Sequence, residues 1–335
     1  MISSIGIGTY LGEPDSSTDQ AYTDSVEAAV KNGVNLLDSA INYRLQRSER
    51  TIRAALERLV AEGFTREELI VCTKAGFLTP DGEMPADPNE YFQSEFIAKE
   101  IFTVEDIAAG CHCLAPLYLE DQIERSRRNL GVECIDVFYL HNPETQLTAV
   151  PRDEFNRRML AAMRTAESAV AAGKIRAYGM ATWNAFRNDP HAPDYLSLEE
   201  MVELARQAGG SEHHFQFVQL PFNLAMPEAL IRPNQTAQGK TVSMIQAARE
   251  LGITLIASAS LLQSHLAGKV PAMIQSTLGL QSDLECALQF VRSAPGITTA
   301  LVGMKSVEHV RANLRLVGVS PTGQEQFRKM FAAAR

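Results

Sequence analysis

Short runs of β-branched and apolar residues alternate along the whole chain with longer stretches in which apolar positions recur every three or four residues. The first pattern is that of a strand and the second that of an amphipathic helix. Strands are predicted at Ile5 to Tyr10, Val34 to Ser39, Leu69 to Lys74, Ile135 to His141, Ile175 to Thr182, Phe215 to Leu220, Thr254 to Ser258 and Thr299 to Gly303. Helices are predicted near 19–32, 47–61, 119–130, 154–172, 197–208, 239–251, 282–293 and 306–316. Runs such as Thr254-Leu255-Ile256-Ala257 are apolar on both faces, as in a parallel sheet covered by helices. Eight such units favour an α/β chain closed into a (β/α)8 TIM barrel over an open sheet.

The irregular residues are unevenly spread. A long loop at about 77–118, shorter ones from Asn184 to Leu196 and Leu224 to Gln238, and another after Leu262 all follow strands. In such a barrel these loops share the C-terminal face, where sites are built. No linker or low-complexity tract marks a boundary, so residues 1–335 read as a single domain with a tail helix after about 319.

Hydrophobic residues make up 45% of the 335 and charged residues 21%, the balance of a globular chain. A net charge of −9 argues against nucleic acid as the partner, because phosphates need clustered Lys and Arg. Apolar runs such as Leu251 to Leu262 are too short and too interrupted to cross a membrane. Met1 leads almost directly into the first strand without the basic, apolar and cleavage segments of a leader, so the expected compartment is cytoplasmic. The five cysteines form an odd set and read as reduced thiols. Cys111-His112-Cys113 has ligand-type residues but no second ligand pair at suitable spacing, and reads as surface or loop thiols. His213 and His214, adjacent on a strand, would point to opposite faces. No metal site is expected.

Gly6-Ile7-Gly8-Thr9-Tyr10-Leu11-Gly12, with Asp38 at the end of the second strand, looks superficially like a dinucleotide fingerprint. That motif opens directly into a helix, whereas here Glu13-Pro14-Asp15-Ser16-Ser17 intervenes and the third glycine is displaced by one. The glycines read instead as a barrel strand ending beneath a ligand.

Asp38, Lys74 and His141 close the second, third and fourth predicted strands. Consecutive strands are neighbours in a barrel, so an acid, an amine and an imidazole meet at one rim, and Tyr43, five residues past Asp38, can fold back over them. Two readings are open: an Asp38–Lys74 pair that only neutralises the barrel mouth, or a proton-transfer site, which the added His141 and Tyr43 favour.

The chain carries, in order over nearly its full length, Gly6-Ile7-Gly8-Thr9, Leu37-Asp38-Ser39-Ala40-Ile41-Asn42-Tyr43, Thr73-Lys74, Leu140-His141-Asn142-Pro143-Glu144, Val218-Gln219-Leu220-Pro221-Phe222-Asn223, and Gly303-Met304-Lys305-Ser306 through Asn313. In these segments it resembles the aldo-keto reductase superfamily. The resemblance implies a (β/α)8 barrel that binds NADPH, with NADH the weaker candidate, and acts as an NAD(P)H-dependent oxidoreductase on a small carbonyl or alcohol substrate. It implies that Asp38, Tyr43, Lys74 and His141 are catalytic. Tyr43 would be the acid in reduction and the base in oxidation, with Lys74 lowering its pKa, Asp38 holding Lys74, and His141 donating a hydrogen bond to the substrate oxygen.

For the cofactor the resemblance implies Gly8, Thr9, Asp38, Thr182, Gln219, Leu261, Gln263, Gly303, Lys305, Ser306, His309 and Asn313. Gln219 would hold the nicotinamide carboxamide, Lys305 with Arg311 a 2′-phosphate near a helix N-terminus, and Asn313 the adenine. The chain departs from the family pattern at Ala181-Thr182-Trp183, where relatives often carry Ser-Asn, and at Ala257-Ser258-Ala259-Ser260-Leu261, where many place an aromatic against the nicotinamide. Trp183 would stack on that ring, line the substrate site or simply pack. The β-hairpin that closes the barrel bottom in many relatives does not precede the first strand, so another cover is expected there. Phe77, Tyr91, Phe92, Phe96 and Phe102 either line an apolar lid or hold the long loop down. Two rival functions stand beside the reductase: a cofactor-binding regulatory or scaffold protein of the same fold with little turnover, and a metal-dependent hydrolase, for which only Asp38 and His141 qualify as ligands.

Overall fold

The structure is a computed structural model that describes residues 1–262 and 270–332. Eight parallel strands close into a barrel. They are β1 (Ile5–Gly8), β2 (Leu36–Asp38), β3 (Ile70–Ala75), β4 (Ile135–His141), β5 (Ile175–Ala181), β6 (Phe215–Pro221), β7 (Thr254–Ser258) and β8 (Ile297–Gly303). Each pairs with the next, and β8 returns to β1 with Gly8 opposite Gly303. After each strand comes a barrel helix: α1 (Ser16–Lys31), α2 (Arg47–Ala61), α3 (Pro116–Leu130), α4 (Arg152–Ala171), α5 (Leu198–Gly209), α6 (Met244–Glu250), α7 (Asp283–Ser293) and α8 (Val307–Leu314). This is the (β/α)8 architecture expected from the sequence.

Local chemistry sets the helix ends. The Asp15 carboxylate accepts from Thr18 N at 2.7 Å to start α1, Pro116 opens α3, and Gly131 closes α3 in the left-handed conformation. On α1, Tyr22, Val26, Ala29 and Val30 share the buried stripe that packs on the barrel. One apolar layer lies between strands and helices, and a second fills the barrel with Leu36, Cys72, Val137, Tyr139, Ala181, Ile256 and Leu301. Ile2 packs against that inner cluster and supplies part of the cover at the bottom.

The helix expected over 239–251 is shorter than its pattern. Gln235–Ala237 and Lys240–Val242 form an antiparallel hairpin whose two central residues, Gln238 and Gly239, both have positive φ (51° and 73°). That is the backbone of a tight hairpin turn, and it wins over the helical periodicity of Lys240 to Val242. Helix α6 begins only after Ser243, which forms a capping box with Gln246. The tail carries a helix at Gln324–Ala332.

The long loop builds a small core of its own. Phe96, Phe102, Cys113 and Tyr118 are buried together, with Tyr91 and Phe92 packed against them. Tyr91, Phe92, Phe96 and Phe102 therefore hold the loop down, whereas Phe77 lies edge-on to His141 with ring centroids 5.1 Å apart. All five cysteines are free, and Cys111 is exposed while Cys113 and His112 are buried. Cys111 and Cys113 are thus loop thiols, the first at the surface, while the loop's return strand turns His112 and Cys113 inward. His214 Nδ1 meets Glu167 Oε2 at 2.7 Å. Among the described residues no helix is long and apolar enough to cross a membrane.

Candidate active site

Strand parity decides what the barrel mouth displays. Successive side chains alternate between the two faces of a strand, so the residue two positions beyond an interior one is also interior. Leu36, Cys72, Tyr139 and Phe217 pack in the inner cluster, and two residues on stand Asp38, Lys74, His141 and Gln219. These four form a polar layer at the upper end of the barrel interior.

Lys74 is fully buried, and its Nζ donates to Asp38 Oδ2 and to the Ser39 carbonyl, both at 2.6 Å. Asp38 uses its other oxygen to accept from Gln219 Nε2 at 2.8 Å. With two of its three N–H groups committed, Lys74 keeps one for the Tyr43 side, where Nζ lies 5.0 Å from the phenol ring centroid. The Tyr43 ring is edge-on to His141 at 5.9 Å and to Tyr10 at 4.9 Å. Asp38, Tyr43, Lys74 and His141 are therefore brought together.

The turn that carries Tyr43 is held firmly. Arg44, Leu45 and Gln46, none of them glycine, all have positive φ. Such a run is strained and persists only when its surroundings over-determine it. Here the buried Arg44 guanidinium pairs with Asp19 at 2.7 Å, and Gln46 Nε2 donates to the Pro80 carbonyl at 3.2 Å.

Burial and charge oppose one another at this site. Burial pushes the Tyr43 phenol up, the Lys74 ammonium pulls it down, and the net is above the ordinary value of 10.0. Lys74 pulls the Tyr43 pKa down, as expected, but desolvation of the buried phenolate is the larger effect. For Lys74 itself, burial is the largest effect and works against the charge, but the Asp38 carboxylate, through its charge and its hydrogen bond, together with Tyr43 and Cys72 outweighs it, so the amine stays protonated. Burial, followed by the neighbouring Lys74 charge, holds His141 well below 6.5 and keeps its imidazole neutral.

Two further groups to which sequence reasoning gave no role at this site meet it. His112, on the loop, reaches the His141 carbonyl with Nε2 at 2.7 Å. Glu144, three residues beyond His141, accepts from Trp183 N at 2.9 Å and fixes the segment after β5, and burial pushes its carboxyl up to about 7. A carboxylate in the Asn142-Pro143-Glu144 turn directly behind a strand-end histidine was the available signal for Glu144. For His112 there was none.

The residues expected at the cofactor fall into two groups. Gly8 and Gly303 sit side by side at the mouth, and a Cβ on either would meet nothing closer than 3.9 Å, which leaves an open floor. Thr182 and Asn313 are buried, yet Thr182 Oγ1 and Asn313 Oδ1 have no hydrogen-bond partner among the described residues. Lys305 and His309 are exposed around the start of α8 and Arg311 in its last turn, and Leu261, three residues past β7, is partly buried. By contrast, Thr9 is fully buried with its hydroxyl bonded to the Asp38 carbonyl at 3.2 Å, and the Ser306 hydroxyl caps α8 through His309 N at 3.3 Å. Those two brace the site. Gln263 lies outside the described residues.

The model of the aldo/keto reductase family matches residues 4–277. The chain belongs to that family. Among curated relatives of this aldo/keto reductase family member, a D-threo-aldose 1-dehydrogenase from a Pseudomonas species is 28% identical over 170 residues. The match spans 49% of this chain and 44% of that enzyme, so the chain spans less than half the length of this curated relative. Solved structures agree over almost the whole barrel. The glycerol dehydrogenase of Gluconobacter oxydans has a TM-score of 0.67 at 18% identity, covering 99% of this chain and 91% of that one. An aldo-keto reductase from Bacillus halodurans in its holo form has 0.66 at 18%, covering 100% and 93%. An aldo/keto reductase from Klebsiella pneumoniae in complex with NADP and acetate has 0.64 at 16%, covering 99% and 91%. At such identities the likeness establishes the shared barrel fold.

Proposed function

We propose that this family member is an NADPH-dependent oxidoreductase that interconverts a small aldehyde or ketone and its alcohol, with Tyr43 as the proton carrier. The observation that carries the reading is the buried Lys74, paired with Asp38 at 2.6 Å and 5.0 Å from the Tyr43 ring. When bound, NADPH supplies the hydride. The residues present fit such a group: the open floor at Gly8 and Gly303, the Thr182 and Asn313 oxygens that have no partner among the described residues, and Lys305 beside the α8 N-terminus, where a phosphate is favoured.

The chain's own residues handle the proton and the orientation. A phenol held above its ordinary pKa is neutral at pH 7 and has a proton to give to a developing alkoxide. The Lys74 ammonium, kept charged by Asp38, steadies the phenolate left behind. His141, neutral, presents an N–H that can hold the carbonyl oxygen near Tyr43 without adding charge. In oxidation the same groups act in reverse. The name of the Pseudomonas relative makes aldoses the first carbonyl compounds to try. A cytoplasmic setting and a single-domain organisation belong to the same proposal.

Fluorescence titration of NADPH and NADH, followed by turnover assays over aldehydes, ketones and aldoses, tests the reading. Tight NADPH binding with turnover supports it. Binding with no turnover over the whole panel favours the regulatory or scaffold role, and no binding of either nucleotide overturns both.

A further inference from the structure

We propose that His112 is a positioning residue for His141, through which the long loop after β3 reaches the reaction site. The inference deepens the carbonyl-reductase reading and rests on it for its kinetic consequences.

The placement begins with backbone bonds. Cys113 N donates to the Gly76 carbonyl and Leu78 N to the Cys111 carbonyl, both at 2.8 Å, so residues 111–113 run alongside the chain just past β3. This carries His112 to a fully buried position under the end of β4. The β3–β4 ladder stops at the pair Ala75 and Leu140, one residue short of His141, and Asn142 then turns into the left-handed region at φ 45°. The His141 carbonyl takes its donor from a side chain instead: His112 Nε2, at 2.7 Å.

Both ring nitrogens of His112 are assigned by their neighbours. A backbone carbonyl can only accept, so Nε2 carries the proton. Gln146 Nε2 stands 2.9 Å from His112 Nδ1, and an amide nitrogen can only donate, so Nδ1 is bare. The orientation of that amide is set in turn by Arg158, whose Nη1 donates to Gln146 Oε1 at 2.7 Å from helix α4. Burial, which depresses the His112 pKa to about 4, keeps the ring neutral at pH 7, and the two partners choose the tautomer.

The same imidazole braces the His141 ring. His112 is edge-on to Phe77 at 5.0 Å, and Phe77 is edge-on to His141 at 5.1 Å. Backbone and ring of His141 are thus both referred to His112. Gly76 makes the approach possible, since a Cβ there would lie 2.7 Å from His112 Nε2 and 2.7 Å from the His141 oxygen.

Two variants and two readouts test the proposal. His112→Phe keeps a flat buried ring but removes the donor, and His112→Gln restores an N–H. We expect His112→Phe to lower kcat by about 10-fold or more, since small misplacement of an orienting group costs up to ~10²-fold, with the NADPH Kd unchanged and His112→Gln recovering most of the loss. Histidine-selective ¹⁵N NMR of the full chain needs no turnover: His112 should appear as the Nε2–H tautomer without titrating between pH ~5 and ~8, and the His141 signals should move in His112→Phe. A His112 that titrates near its ordinary value, unmoved His141 signals, wild-type kcat in His112→Phe, or a kcat loss that follows the folded fraction and is not recovered by Gln would each overturn it. If wild type shows the expected NMR pattern but no carbonyl turnover, the positioning stands and the reductase reading falls.

Discussion

Gln219 and Asp38, 181 positions apart, are joined across the barrel mouth by a 2.8 Å hydrogen bond from Nε2 to Oδ1. With Lys74 on the other oxygen, one carboxylate ties β2, β3 and β6 together. The Gln219 amide nitrogen, expected at the nicotinamide, thus secures Asp38, and its carbonyl oxygen is the end left for a ligand.

Breaking the pair inside this network should be costly for the fold as well as for turnover. Lys74→Met leaves the Asp38 carboxylate buried with an amide as its remaining side-chain partner, and removal of one member of a buried pair typically costs about 3–5 kcal/mol. Urea unfolding of wild type and variant at pH 7 measures the loss. A change below about 1 kcal/mol would place the pair among ordinary surface ion pairs.

Two buried groups should give stability profiles of opposite sign. The Glu144 carboxyl is raised from 4.5 to about 7, so the folded state holds a proton that the unfolded chain has released, and stability falls as pH rises from 4.5 to 7. His112 is lowered from 6.5 to about 4, so stability falls as pH drops from 6.5 to 4. Relative to wild type, Glu144→Gln should therefore gain stability on going from pH ~4.5 to ~7, and His112→Phe on going from pH ~6.5 to ~4, each by on the order of 3 kcal/mol. Thermal unfolding across that range decides the signs.

Gly76→Ala should disturb the fold and the site together. The added Cβ meets two polar atoms at 2.7 Å, at a backbone φ of 156° that L side chains rarely adopt. Overpacking of this kind costs about 1–3 kcal/mol, and here it also pushes on the His141 backbone. The expected result is a lower Tm with a fall in kcat beyond the loss of folded protein, measured by calorimetry and steady-state kinetics on the same sample.

Where a contact is local or follows strand parity, the sequence reveals it. Asp38, Lys74 and His141 each close a predicted strand at one rim of the barrel, whereas Gln219 was reached through the family resemblance. The hairpin at 235–242 was hidden because Thr241 and Val242 fit the apolar spacing of the following helix, while the deciding feature is the positive φ of Gln238 and Gly239. His112 and Glu144 bond mainly to backbone groups of residues 29 and 39 positions away, and such partners have no side-chain signature. For Tyr43 the neighbouring charge was readable, but the depth of burial that outweighs it belongs to the folded barrel.

Cofactor choice should depend on Lys305. Its ammonium stands exposed just before α8, and if it meets the 2′-phosphate, Lys305→Ala should raise the NADPH Kd by about 10-fold, the scale of a charge-assisted contact. The NADH Kd should change little. Equal effects on both nucleotides would move the phosphate contact elsewhere.

The central claim is that Tyr43 carries the proton, and Tyr43→Phe tests it most directly. The variant keeps the ring against Lys74 and His141 and removes only the hydroxyl, so NADPH should bind as in wild type while kcat for carbonyl reduction falls by about 10²–10⁴-fold. Reduction at close to the wild-type rate by a folded, NADPH-binding Tyr43→Phe protein would contradict the account.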